Sequence, residues 1–117
     1  MPRYSKLLVW DHARKLVHNV TTATRQAPAS GHGDLISQIR RASISVAANI
    51  AEGAERGSDR DFVRFLKIAD GSNAETQALT RIAGDAGIFE SNQVTEIISQ
   101  TNEIGYMLRA LMRRCSE

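Results

Sequence analysis

Histidine side chains are the first candidates for catalysis or metal binding in this chain. His12 and His18 are six residues apart, which is about 240° around a helix, so they cannot hold one metal ion from a single face. His32 lies between two glycines, and neither HExxH nor CxxC occurs in the sequence. We therefore expect no metal site and no bound cofactor, and we interpret the histidines as exposed or capping residues.

The other reactive groups do not form a catalytic set in the sequence. Cys115 lies near the C-terminus without a neighbouring histidine, so we interpret it as an incidental thiol rather than a nucleophile. Asp59 and Asp61 fall where a helix should begin, and carboxylates there stabilise the helix dipole. The stretch 31–33, Gly-His-Gly, lacks the lysine of a phosphate-binding loop. The sequence predicts a protein that is not an enzyme.

Segment 37–53, SQIRRASISVAANIAEG, contains polar residues that could bind a partner. Arg40 and Arg41 are adjacent, so they point about 100° apart on a helix and can serve two surfaces. Asn49 has apolar neighbours, and such an asparagine fixes helix register or bonds the following loop. Glu52 should bridge to an arginine of a neighbouring helix or bond the amides of the next helix. We interpret Asn49 and Glu52 as structural rather than ligand-binding residues.

Turn-forming residues divide the chain into four segments of helical length. Apolar and small residues repeat every three or four positions in each segment, which is the period of one helix face. The predicted buried face of the first helix is Trp10, Ala13, Val17, Val20, Thr24 and Ala27, and that of the fourth is Val94, Ile97, Thr101, Ile104, Leu108 and Leu111. The predicted helices cover about residues 7–27, 34–55, 59–86 and 91–115 of a single domain, 1–117. Short loops join antiparallel neighbours, so the predicted fold is all-α, an antiparallel up-down-up-down four-helix bundle.

Local signals indicate where these helices begin. Asp34 is the predicted N-cap of the second helix, because its carboxylate can accept hydrogen bonds from the first-turn amides. Ser58 and Asp61, three residues apart, resemble the capping box of a third helix. The fourth helix should begin near Ser91.

Glycines and apolar residues then predict how the helices end and pack. Gly53 and Gly57 should end the second helix, since glycine tolerates the left-handed cap conformation. Gly71 lies inside the third helix, where it costs about 1 kcal/mol relative to alanine, so we expect close backbone packing there. The second helix is apolar on more than one side, which places it centrally in the bundle or against another subunit.

Composition and charge limit the class of protein. Hydrophobic residues make up 42% and charged residues 24% of the 117, as in a globular protein rather than a disordered one. The sequence has no apolar run long enough for a membrane span or signal peptide, so we expect a cytoplasmic protein without a membrane partner. Residues 1–51 hold seven bases and two acids, whereas residues 52–117 hold eight bases and eleven acids. This asymmetry indicates either a basic surface for an acidic partner or complementary faces within an oligomer.

Four stretches of the sequence match one known family. They are LLVWDHA (7–13), SQIRRA (37–42), NIAEG (49–53) and DFVRFLKIADGSNAE (61–75). With these motifs the chain closely resembles the four-helix bundle proteins first noticed in intervening sequences of 23S ribosomal RNA genes. It is also similar to the accessory variability protein of diversity-generating retroelements. The resemblance implies a homopentamer whose bundles form a ring or barrel.

The resemblance also implies a nucleic-acid partner, because the accessory variability protein binds nucleic acid and a reverse transcriptase through a basic surface. By the match to QIRRA, the implied nucleic-acid-binding residues are Arg40 and Arg41. On charge grounds alone we add Arg14, Lys15 and Arg25. The residues predicted to serve the structure of the bundle or of an oligomer are Asn49, Glu52, Gly53, Gly71 and Glu75.

Two hypotheses about function remain open at this point. In the first, a homo-oligomer binds RNA or DNA non-specifically through its basic residues. In the second, the oligomer is a scaffold for a protein partner, and Arg40 and Arg41 bridge subunits to acids. The candidate acids are Glu52, Glu55 and Glu75. Arginines clustered on an open face would favour the first hypothesis, and arginines buried in a subunit contact would favour the second.

Overall fold

The computed structural model describes residues 3–28 and 31–116, and within these ranges the chain is helical and contains no β-strand. Its helices are α1 (Leu8–Arg25), α2 (Gly33–Glu55), α3 (Asp59–Asp85) and α4 (Ser91–Cys115), and a 3₁₀ turn, Arg3–Lys6, precedes α1. The predicted all-α class is confirmed, and each helix begins and ends within two residues of its predicted bounds. None of the described helices combines the length and the apolar character that crossing a bilayer requires.

Neighbours in the chain are also neighbours in space. Each helix packs against the next, and α4 returns to pack against α1, whereas α1 and α3, like α2 and α4, lie diagonally opposite without close approach. Hydrogen bonds join Asn19 to Glu96 and Gln26 to Gln93, so α1 and α4 run antiparallel. This pattern is consistent with the predicted up-down-up-down bundle, which measures 46 × 22 × 20 Å.

The core is built from one face of each helix. On α4 the predicted stripe is buried at Ile97, Thr101, Ile104 and Leu108. On α1 the buried stripe differs from the predicted one by one position at several places. Its buried members are Val9, Ala13, Leu16, Val20, Ala23 and Thr24. Consequently Trp10 and Val17, predicted to be core residues, lie at the edge of the core beside α2.

Helix starts follow the predicted capping only in part. Ser58 caps α3, and its hydroxyl accepts a hydrogen bond from the Asp61 amide at 3.2 Å. The prediction for Asp34 is wrong, because His32 occupies the N-cap position of α2 and Asp34 lies in the first turn. At α4, Glu90 and Gln93 form a capping box that was not predicted, in which the Glu90 amide donates to the Gln93 side chain at 2.8 Å.

Three glycines illustrate how packing decides their roles. Gly53 does not cap α2 but lies buried inside it, where a Cβ atom would come within 2.7 Å of the Phe65 Cβ atom on α3. Gly57 has φ +90°, the left-handed conformation predicted for the end of α2. Gly71 was predicted to allow close packing, but it is exposed and a Cβ atom there would meet nothing within 4 Å among the described residues.

Candidate interaction surfaces

Two of the predicted nucleic-acid-binding residues are already held by an acidic side chain. Asp11 accepts from Arg14 at 2.7 Å and pairs with Lys15 at 3.2 Å, one helical turn away. The hydrogen bonds from Arg14 and Lys15 lower the pKa of the Asp11 carboxyl below its ordinary value of 3.8. Arg14 also lies over the Trp10 ring, 5.5 Å from its centroid. The charges of Arg14 and Lys15 are therefore partly neutralised within α1.

The other three predicted bases lie towards the opposite end of α1 and α2. Arg40 is half-buried, and its Nε donates to the Thr24 hydroxyl at 2.7 Å, which ties α2 to α1. Arg25 and Arg41 are exposed, and no described carboxylate lies within 4 Å of either. Arg14 and Arg25 are eleven residues apart, about 16 Å along the helix. The five bases therefore fall into two separate groups.

The predicted structural polar residues act mainly within their own helices. Asn49 donates to the Ser45 carbonyl oxygen at 2.8 Å and to the Ser45 hydroxyl at 3.0 Å, rather than to the following loop. The Ser45 hydroxyl in turn bonds that of Ser72 at 2.8 Å, linking α2 to α3. Glu52 pairs with Arg56 at 3.2 Å on the same helix, so neither of its two predicted contacts with another helix forms. Glu75 is exposed and has no ion pair among the described residues.

An open apolar groove of about 400 Å³ runs between α1 and α2, and we call it the α1–α2 groove. Its lining is Tyr4, Trp10, Arg14, Val17, Ile44, Ala47, Ala48 and Ala51. Ile44 is 52% exposed, although an isoleucine is usually buried. The Tyr4 ring packs edge-on against Trp10 with centroids 4.8 Å apart, so the 3₁₀ turn forms one wall. The apolar outer side of α2 that the sequence predicted is therefore part of a groove.

Basic residues are concentrated on a different surface, where α3 begins and α4 ends. This basic patch consists of Arg60, Arg64, Lys67, Arg109, Arg113 and Arg114, all exposed. Arg64 and Arg109 pair with Asp61 and Asp70 at 3.8 and 3.3 Å. The other four have no carboxylate within 4 Å in the described parts of the chain.

The whole end of the bundle that carries this patch is basic. The antiparallel helices bring ranges 3–17, 45–72 and 103–116 into the same half, which holds eleven of the fifteen lysines and arginines. We did not predict this patch from the sequence, although its signal was present. Arg60, Arg64 and Lys67 follow the i, i+4, i+7 spacing of one helix face, and Arg109 and Arg113 are also four apart.

A groove of about 410 Å³ lies within the basic patch and brings Cys115 beside Asp59. Burial raises the pKa of the Cys115 thiol, and the Asp59 carboxylate raises it further against a smaller opposing effect of Arg114. The thiolate, which is the nucleophilic form, is thus disfavoured. No group of three or more metal-ligating side chains occurs in the described residues.

A third surface, the Leu8 pocket, lies between the start of α1 and the end of α4. It measures about 510 Å³ and contains Leu8 and Tyr106, each 65% exposed. Arg113 and Arg114 form part of its wall, so the pocket borders the basic patch.

Comparisons with known proteins place the fold in a family. The model of the family described as 23S rRNA-intervening sequence protein matches residues 5–110, nearly the whole chain. The chain belongs to this family. The resemblance that we inferred from the QIRRA and NIAEG motifs is thereby confirmed.

A solved structure supports the same fold. The crystal structure of a protein of unknown function from the S23 ribosomal protein family of Bacteroides thetaiotaomicron superposes with a TM-score of 0.80. The two proteins are 22% identical, and the match covers 90% of this chain and 98% of the other. No curated protein matches the chain. At this identity the likeness concerns the four-helix fold, and the family name by itself assigns no molecular function.

Proposed function

We propose that the protein is a non-enzymatic, cytoplasmic homo-oligomer, a pentamer as the family resemblance implies, that binds RNA or DNA non-specifically. The observation that carries the proposal is the basic patch, in which Arg60, Lys67, Arg113 and Arg114 have no described acidic partner. Cations of this kind neutralise backbone phosphates and release counterions, which favours binding without reading the bases. The patch thus replaces the group of bases that the sequence suggested.

Self-association is supported by the α1–α2 groove. A groove lined by Trp10, Val17 and Ile44 keeps apolar surface in contact with water unless a partner covers it. Assembly would place several basic patches on one particle, and binding through several patches strengthens the attachment to one long polyanion.

A salt titration of filter binding with a short duplex tests the nucleic-acid proposal. The wild-type protein should lose affinity steeply as salt increases. Substituting Arg60→Gln, Lys67→Gln and Arg113→Gln together should make the salt dependence shallower. The slope of log affinity against log salt should become less negative by about 2.7, because each lost phosphate contact removes about 0.9. The matched control, Arg14→Gln, Lys15→Gln and Arg81→Gln, removes the same charge elsewhere and should leave the slope nearly unchanged.

Two outcomes would contradict the proposal. Negligible retention of the wild-type protein at low salt would exclude nucleic-acid binding. Equal losses in the two triple variants would show that binding does not depend on the basic patch.

A scaffold for a protein partner is the second candidate, and a specific observation favours it. Arg41 is exposed one helical turn from Ile44 of the α1–α2 groove, so it can pair with an acid of another subunit. If the wild-type protein assembles but binds no nucleic acid at any salt concentration, this second candidate is the better description.

A further inference from the structure

The outer face of α3 carries apolar surface that no described helix of the chain covers. Ile68 and Ile82 are 44% and 51% exposed, which makes them two of the five large exposed hydrophobic residues in the described ranges. Small exposed residues lie between them. The α3 ridge, as we name this surface, consists of Ile68, Gly71, Ala74, Glu75, Ala78 and Ile82.

The spacing of the ridge is that of a helix–helix contact. Residues 68, 71, 75, 78 and 82 alternate steps of three and four, which places them along one stripe of α3. Gly71, one turn after Ile68, costs about 1 kcal/mol relative to alanine, and nothing in the described chain lies within 4 Å of where its Cβ atom would be. A second helix packed closely against the ridge would account for a glycine at this position.

We propose that the α3 ridge of one copy docks in the α1–α2 groove of another copy. This inference rests on the self-association proposed above and names the two surfaces that meet. The ridge cannot fill the groove of its own chain, because α3 lies diagonally opposite α1 in the bundle. The contact therefore joins two different surfaces, and repeated head-to-tail contacts of this type close into a ring when the rotation permits.

Charge favours this pairing over the alternatives. Glu75 lies in the middle of the ridge and has no ion pair among the described residues. Beside the groove, Arg41 is exposed one helical turn from Ile44 and likewise has no described acidic partner. The other exposed apolar surface, the Leu8 pocket, is bordered by Arg113 and Arg114. Docking that pocket against the groove would bring bases to bases, which disfavours association.

Shape is consistent with the same pairing. Along α2 the groove is lined by the small side chains of Ala47, Ala48 and Ala51 together with Ile44. The ridge presents Gly71, Ala74 and Ala78 between its two isoleucines. Small residues on both surfaces let two helix backbones approach closely while the isoleucines fill the remaining space.

A subunit-mixing experiment tests the proposal with two variants. Ile44→Asp damages the groove and leaves the ridge intact, whereas the double variant Ile68→Asp/Ile82→Asp damages the ridge and leaves the groove intact. Each variant alone should be monomeric by light scattering, with association weakened at least about tenfold for each buried charge. An equimolar mixture should form a one-to-one dimer and nothing larger, because only one intact groove–ridge pair remains.

Controls separate the possible failures. Leu8→Asp places a charge on an exposed apolar residue outside the contact and should assemble like the wild type. Circular dichroism should show unchanged helicity in every variant, since the substituted side chains are exposed. If wild-type protein is monomeric, the proposed self-association itself fails. If wild-type protein assembles but the mixture stays monomeric, or Ile44→Asp assembles normally, the groove–ridge pairing is wrong.

Discussion

The two sides of the bundle use charged residues in opposite ways. Between α1 and α2 lies an apolar groove, beside which Arg14 and Lys15 are paired with Asp11 in the preceding turn of α1. Where α3 begins and α4 ends, Lys67 and Arg113 extend into solvent without a described acidic partner. We propose the first surface as a contact between subunits and the second as a contact with a polyanion.

This difference shows that the number of bases in a segment says little about its role. The N-terminal part of the sequence carries the larger positive charge, yet Arg14 and Lys15 are paired with Asp11 and Arg40 is half-buried. Arg25 and Arg41 are its exposed bases on α1 and α2 without a described acidic partner. The C-terminal part is acidic in sum, yet it contributes the open basic patch. What matters for binding is whether a cation is already paired in the folded chain.

The strongest test of the comparison removes assembly and measures nucleic-acid binding. Ile44→Asp should lower the affinity for a long duplex about 100-fold or more, because the patches of several subunits no longer act together. Affinity for a short duplex that one subunit can cover should stay unchanged, as a binding titration at fixed salt would reveal. A similar loss on the short duplex would mean that the groove itself contacts nucleic acid.

Two glycines provide the next contrast, between the two faces of α3. Gly53 of α2 packs against the inner face of α3, and Gly71 lies on its exposed outer face. Gly53→Val should lower the free energy of unfolding by about 1–3 kcal/mol, because the new side chain overlaps Phe65. Gly71→Ala should raise it by up to about 1 kcal/mol, because the position is open and helical. Urea denaturation in the Ile44→Asp background measures both without a contribution from assembly. Destabilisation by Gly71→Ala in that background would indicate an unrecognised contact within the chain.

Releasing Arg14 and Lys15 from their acidic partner should change the affinity for nucleic acid to a smaller extent. Asp11→Asn removes the carboxylate that binds Arg14 and Lys15, so both become available to phosphates. We expect the affinity for a short duplex at low salt to rise by less than about tenfold, since exposed ion pairs are weak. A rise comparable to the loss in the triple variant of the basic patch would remove the distinction between the two sides.

The smallest expected effect is the change in folding stability when Asp11 is protonated at low pH. The pKa of Asp11 is lowered from 3.8 in the folded chain, so its contribution to stability is complete above that pH and is lost as pH falls through the folded pKa. The Asp11 side chain is 35% exposed and its partners are more exposed still, so solvent screens the pairs and the associated change in stability should be small. An NMR titration of the Asp11 carboxyl carbon should give a pKa below 3.8, and Arg14→Gln should raise it. A pKa at or above 3.8 in the wild type would mean that the Arg14 bond does not persist in solution.

Much of the fold could be predicted because its signals are local. Apolar periodicity, turn residues and the Ser58 cap act over a few neighbouring positions, and the resulting helix bounds agree with the structure to within two residues. Errors appear where a residue's role depends on another helix. Gly53 was predicted to end α2 because glycine favours helix caps, but it lies inside the helix, where the close approach of Phe65 leaves no room for a larger side chain.

The candidate site was predicted less well for the same reason. Arg40 and Arg41 were assigned to nucleic acid together by the match to QIRRA. The structure places them on two surfaces, as their adjacency allowed, because Arg40 contacts Thr24 on α1 and Arg41 faces solvent. Lys67 and Arg113 are 46 positions apart in the sequence, so charge counted along the chain could not bring them together. Antiparallel packing of α3 and α4 places both at one end of the bundle.

By itself the sequence determined four helices, their bounds and the family, because periodicity and motifs are properties of neighbouring residues. Only the tertiary structure decided which bases are free and which apolar surfaces remain uncovered. Those properties depend on helix rotation and on side chains brought together from distant positions, and a shift of one residue on α1 is enough to move Trp10 and Val17 from the core into a groove.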